Sequence, residues 1–140
     1  MSVQECIFCK IIAGQIPCTK LYENEHVLAF LDIGPVSEGH TLIVPKKHTS
    51  HVDQTDPLTM AEIAKVIPML AGSVKEAMGA DGYNVLCNNG SSAGQVVEHV
   101  HVHIIPRKTD DGVFRQWPSF QYPAGKADEI AEKIRKNISL

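Results

Sequence analysis

At 140 residues, 44% hydrophobic and 21% charged, the chain fits one domain over residues 1–140 that buries a core without staples. A formal net charge of −3 without a basic run argues against a partner in nucleic acid, and the longest apolar runs are expected to fall short of a membrane span. The start Met-Ser-Val-Gln-Glu-Cys has neither the basic residues nor the apolar core of a leader. The expected location is therefore cytoplasmic or nuclear, with the four cysteines as thiols or metal ligands.

In chain order, Ile7 to Ala13 reads as a helix of about two turns closed by Gly14. Thr19 to Glu23 and His26 to Leu31 read as strands around the polar turn Glu23-Asn24-Glu25, and His40 to Val44 as a buried strand stopped by Pro45. These three fit an antiparallel meander. From Asp56-Pro57 to Met78, apolar residues recur every three or four positions at Leu58, Ile63, Val66, Ile67, Leu70, Val74 and Met78, which predicts a long helix. Pro57 suits its first turn, whereas Pro68 predicts an interior kink. Tyr83 to Cys87 and the histidine-rich segment ending at Pro106 complete five strands, and Ala127 to Ile138 has a weaker helical pattern. The expected class is α+β, an antiparallel sheet with one long helix and one or two short ones.

The segment Glu98-His-Val-His-Val-His-Ile-Ile-Pro106 holds three of the seven histidines in strict alternation. On a strand, His99, His101 and His103 would share one face at intervals of roughly 6.5 to 7 Å, with Val100, Val102 and Ile104 on the other. End to end the three span about 13 Å, too far for one tetrahedral ion. At most two can share a metal, and the remaining possibility is a histidine nucleophile with neighbours that bind an anion. Cys6-Ile-Phe-Cys9 has the spacing of two zinc thiolates, which His48, His51 and one of the three histidines could complete; a redox dithiol or two buried free cysteines are the competing readings. Cys18 and Cys87 read as packing residues. The small-residue loop Asn88 to Gly94 just before the histidines could let backbone amides approach a phosphate.

With these residues in place, the chain resembles the histidine triad superfamily, whose signature alternates three histidines with apolar residues. It stands here as His99-Val-His101-Val-His103-Ile-Ile. Further agreement lies in Cys6-Ile-Phe-Cys-Lys-Ile-Ile12, Ala29-Phe-Leu-Asp-Ile33, Glu38-Gly-His-Thr-Leu-Ile-Val-Pro-Lys-Lys-His48, and Asn88 with Gly94-Gln95. Within the superfamily it looks like the Hint branch of adenosine 5'-monophosphoramidases, and Gly112 to Pro118 with Trp117 resembles that branch's C-terminal region.

The resemblance implies that His101 attacks the α-phosphorus of a purine nucleoside phosphoramidate, forming a nucleotidyl-histidine that water resolves to AMP. A backbone carbonyl of the same segment would fix its tautomer. His103 would hold phosphate oxygens, and His40 and His99 would support the nucleophile. Cys6, Cys9, His48 and His99 would bind a structural zinc. Asp32, with Ile33 beside it, would take the ribose hydroxyls, and Ile7, Phe8, Ile11 and Phe30 the base. Asn88, Gly94 and Gln95 would lie on the phosphate side. Val96 stands where many members carry Ser or Thr, so no hydroxyl serves the leaving group there. The resemblance further implies a homodimer with one continuous sheet. Other readings are dinucleoside polyphosphate hydrolysis, as in the sister Fhit branch, and a nucleotide-binding regulatory role.

Overall fold

The computed structural model describes residues 2–114 and 117–139. Arg115 and Gln116, within the C-terminal stretch Gly112–Pro118, lie outside the described residues. Helix α1 covers Ile7–Ile12, followed by strands β1 (Lys20–Glu23), β2 (Val27–Leu31) and β3 (Thr41–Pro45). The long helix α2 covers Pro57–Ala77, and β4 (Gly82–Leu86), β5 (Val102–Arg107) and α3 (Lys126–Asn137) follow. All strand pairs are antiparallel, in the order β1-β2-β3-β5-β4. The expected α+β architecture is present, including the meander of β1 to β3.

The strand period of two divides the core into two layers. Val27, Ala29 and Ile43 face α2 together with Val100, Val102 and Ile104. The intervening Leu28, Phe30, Leu42 and Val44 face Cys6 and Phe8 at α1. Because helices cover both faces, β2 and β3 read as nearly continuous apolar runs. Helix α2 starts where Asp56 accepts a hydrogen bond from the Leu58 amide at 2.8 Å, with Pro57 in the first turn. It continues through Pro68, which has no amide for the Ala64 carbonyl. By length and average composition α2 is apolar enough to cross a bilayer, although Glu62, Lys65 and Lys75 keep its uninterrupted apolar runs short. Ile63, Val66, Leu70, Ala71 and Val74 instead form its buried stripe against the sheet.

Two strand expectations need correction. Pro45 belongs to β3 and stands opposite Val27, tolerated at the strand's end because no further ladder bond is needed from it. In addition, β5 begins only at Val102, so His99 and His101 precede the paired strand. Its register against β3 sets Ile43 opposite Val102. Continuing that register would place Val100 opposite Pro45, which has no amide hydrogen to donate. The alternation of faces nevertheless holds, since Val100 lies in the α2 layer and the histidines turn the other way.

Candidate active site and metal centre

A cavity of about 440 Å³ opens on the α1 face of the sheet. Ile7, Phe8 and Ile11 of α1 and Phe30 of β2 form its apolar wall, with Phe8 and Phe30 edge-to-face at 5.7 Å. Asp32, Ile33, Gly94, Val96, His101 and His103 also line it. Ile33 and Val96 stand at its open rim, 95% and 88% exposed. The wall extends through Ile16, Pro17, Cys18, Leu42 and Val97, residues that sequence patterning places in packing or connecting roles. Cys18 was expected to pack and does so as part of this wall. Cys87 packs against the α2 layer. A larger groove, about 640 Å³ between α2 and the first strands, is lined by Leu21, Met69 and Met78, and among the described residues no histidine or cysteine lines it.

Hydrogen bonds fix how each buried histidine carries its proton. His101 Nδ1 lies 2.7 Å from the His99 carbonyl. A carbonyl can only accept, so Nδ1 bears the hydrogen and the Nε2 lone pair remains for chemistry. The Phe8 ring meets His101 edge-on with centroids 5.0 Å apart. His40 Nδ1 accepts from the Val36 amide at 3.1 Å, which leaves the hydrogen on His40 Nε2. That atom sits 2.8 Å from His103 Nδ1, so His103 accepts there and carries its own hydrogen on Nε2. Among the described residues, Nε2 of His103 is a buried polar atom without a hydrogen-bond partner. An unmet buried donor costs free energy until an acceptor arrives, so the site is arranged for an anionic oxygen.

Asp32 Oδ1 accepts from the Gly34 amide at 2.8 Å, and Oδ2 lies 3.7 Å from His40 Nε2. Asp32, His40 and His103 come close enough to suggest a metal cluster. The tautomers argue otherwise: ligation through His40 Nε2 would move its hydrogen to Nδ1, against the Val36 N–H. Gly39 holds His40 in place at φ +91, where a Cβ would lie 2.6 Å from the Met78 side chain. The loop before the histidines is braced rather than open. Gln95 accepts from the Gly90 amide and donates to the Ser50 carbonyl, and its own amide bonds Gly90. Asn88 lies outside the cavity lining, its side-chain amide beside Gly94, which has φ +93. Gln95 and Asn88, expected on the phosphate side, thus shape the loop that presents Gly94 to the cavity.

Burial holds His40, His101 and His103 below the ordinary histidine range, and it takes His103 down from 6.5 to about 4. Nearby His101 and His40 add to the shift at His103. All three are neutral at physiological pH, as a nucleophile and a hydrogen-bond donor require. Between pH 6.5 and about 4 the unfolded chain takes up a proton that folded His103 refuses. The stability is therefore complete above this window and falls as pH drops through it, by up to about 3 kcal/mol from this group. Unfolding midpoints measured across the window should fall less steeply for His103→Asn than for the wild type; parallel curves would contradict the assignment.

Behind His101, the side chains of Cys6, Cys9, His48 and His99 place their ligand atoms within 4.8 Å of one another. His99 is fully buried. Its Nε2 donates to the Pro45 carbonyl at 2.8 Å, so its Nδ1 lone pair faces Cys6 Sγ at 3.4 Å, Cys9 Sγ at 3.6 Å and His48 Nδ1 at 3.2 Å. Two sulfurs, two imidazole nitrogens and a carbonyl that fixes one tautomer suit a closed tetrahedral metal site. His51, a candidate ligand by spacing, is outside the cluster; its carbonyl instead receives Gln54 N and Thr55 Oγ1. Burial and the Cys6 thiol push Cys9 up to about 11 without metal, so metal capture must expel that proton. The carbonyl of Thr49, which accepts the Val100 amide at 2.7 Å, gave no sequence signal because its part is played by backbone.

Comparison with known proteins agrees with this geometry. The HIT domain family matches residues 13–110. A Schizosaccharomyces pombe adenosine 5'-monophosphoramidase is 42% identical over 134 residues, covering 95% of this chain and 98% of that relative. An Arabidopsis thaliana adenylylsulfatase is 47% identical over 76% of this chain, and the match spans 54% of that longer protein. Among solved structures, a Streptococcus mutans protein superposes with a TM-score of 0.94 at 40% identity, over 99% of this chain and 88% of its own. A zinc-bound histidine triad protein from Mycobacterium smegmatis gives 0.76 at 40% identity, covering 84% and 86%. The chain belongs to the HIT domain family.

Proposed function

We propose that this protein hydrolyses the P–N bond of purine nucleoside 5'-phosphoramidates and releases AMP. The observation that carries this reading is the pairing, in one cavity, of a histidine with a free Nε2 lone pair, His101, and one with an unmet buried Nε2–H, His103. The first suits attack on phosphorus and the second a phosphoryl oxygen. The base lies against Ile7, Phe8, Ile11 and Phe30, and Asp32 Oδ2 accepts the ribose hydroxyls.

In the first step a bond forms from His101 Nε2 to the α-phosphorus as the P–N bond breaks. The departing amine takes its proton from water at the rim, because Val96 there has no hydroxyl, and hydroxide remains. In the second step that hydroxide attacks phosphorus, the bond to His101 breaks, and neutral imidazole and AMP result. A metal held by Cys6, Cys9, His48 and His99, with zinc as the ion suited to this donor set, supplies structural stability rather than chemistry. The fission-yeast relative is named for an adenosine 5'-monophosphoramidate and the plant relative for an adenylyl sulfate; the adenosine 5'-phosphoryl group common to both names supports a nucleotide substrate and leaves the leaving group to experiment. Incubation with adenosine phosphoramidate and with a dinucleoside triphosphate should give at least about tenfold higher kcat/KM for the first. The reverse order would move the protein to dinucleoside polyphosphate hydrolysis.

A homodimer that continues the sheet is part of the proposal. β4 is an edge strand with Tyr83 and Val85 exposed, and an unpaired edge invites another strand. A monomer in sedimentation equilibrium at micromolar concentration would remove it.

A further inference from the structure

His99 is used twice. Its ring faces the thiols while its carbonyl holds the nucleophile, and no paired strand intervenes, because β5 begins only at Val102. The segment 99–101 depends on other anchors. Val100 N bonds to the Thr49 carbonyl at 2.7 Å, directly after His48, whose ring meets that of His99 at 5.0 Å. Residues 48–49 and 99–100 are therefore clamped side by side, through backbone at one pair and through the ligand cluster at the other. The same cluster includes Cys6 at the start of α1 and Cys9 within it. Between them Phe8 presents its ring to His101.

We propose that Cys6, Cys9 and His48 are positioning residues for the His101 nucleophile: the metal they hold locks the His99 ring, and through the His99 carbonyl it fixes the tautomer and direction of His101. The proposal rests on the reading of His101 as the attacking group. Without the metal, four ligand side chains lose their common centre, and residues 99–100 are left to the His99 N–H bond to the Val97 carbonyl, the Val100 N–H bond to the Thr49 carbonyl and the His99 Nε2–H bond to the Pro45 carbonyl. Misplacement of a reacting atom by about 1 Å costs on the order of a hundredfold in rate, and loss of residues that orient a site from behind costs about 10- to 100-fold. The loss falls on kcat, because the apolar wall and Asp32 still bind the nucleotide.

The direct readout is the ¹⁵N–¹H resonance of His101 Nδ1–H in the full chain without nucleotide, assigned by its disappearance in His101→Gln. In zinc-loaded protein it should be sharp and downfield, as a short bond to a carbonyl requires. After chelation, or in Cys9→Ser, it should broaden or shift while the amides of β2 and β3 keep their positions. kcat should fall by about tenfold or more with KM changed less than about threefold, and zinc-loaded Cys9→His should restore both resonance and kcat. If Cys9→Ser does not fold, His48→Gly with imidazole added as the missing ligand asks the same question. Recovery of the resonance with imidazole supports the proposal. An unchanged resonance in metal-free but folded protein, or in His48→Gly without imidazole, overturns it. If the resonance responds to metal while His101→Ala retains full turnover, positioning stands and the hydrolytic reading fails; an unresponsive resonance with inactive His101→Ala has the opposite meaning.

Discussion

Replacing His101 by alanine is expected to lower the turnover of adenosine phosphoramidate by about four orders of magnitude or more, with AMP affinity kept within a few-fold. The asymmetry follows from the cavity. His101 is held with Nδ1 on the His99 carbonyl, so its contribution is the Nε2 lone pair, which forms a bond only during reaction. The groups proposed for ground-state binding are others: the α1 wall and Phe30 for the base, Asp32 for the ribose and His103 Nε2–H for phosphate. Single-turnover kinetics and calorimetric titration with AMP check the two halves separately. Substantial turnover by the variant would remove the nucleophile assignment, whereas loss of AMP binding would show that His101 serves the ground state.

Metal removal is expected to have the largest effect on stability. Cys6, Cys9, His48 and His99 come from α1, the segment after β3 and the lead-in to β5, so one ion joins three parts of the chain that are far apart in sequence. Structural zinc contributes folding free energy directly, about 10 kcal/mol or more in small zinc modules. Here a sheet and α2 already form a core, and a smaller loss of several kcal/mol is expected. That corresponds to a fall in Tm of about 10 °C or more for a domain of this size. Metal analysis should find about one ion per chain, lost in Cys6→Ser and Cys9→Ser. A metal-free wild type with an unchanged Tm on zinc addition would reduce the cysteine pair to packing.

Much of this architecture is legible in the sequence because its signals are local and periodic. The apolar recurrence from Leu58 to Val74 foretells α2, and Asp56-Pro57 marks its start, realised as a capped first turn. The alternation of histidines with Val100, Val102 and Ile104 foretells which face is buried. The start of β5 was not legible, since it depends on Pro45 from another strand falling opposite Val100. The choice of His48 over His51 as a candidate ligand was open from spacing alone and was indicated only by resemblance, because both lie in one short segment. The actions of Gln95 and Thr49 depend on backbone groups 45 to 51 residues away, which no local pattern encodes. The proton positions on His40, His101 and His103 required the three-dimensional hydrogen bonds, and they separate a donor from a nucleophile among chemically identical side chains.

If His101 attacks phosphorus, it becomes covalently nucleotidylated during turnover. Rapid acid-free quenching of a reaction with adenosine phosphoramidate, followed by peptide mass spectrometry, tests it most directly. One nucleotidyl group is expected on the peptide containing residues 99–103, localised to His101 and absent from His101→Ala. A quenched enzyme that turns over substrate at full rate with no adduct, or with the adduct on His99 or His103, would contradict it.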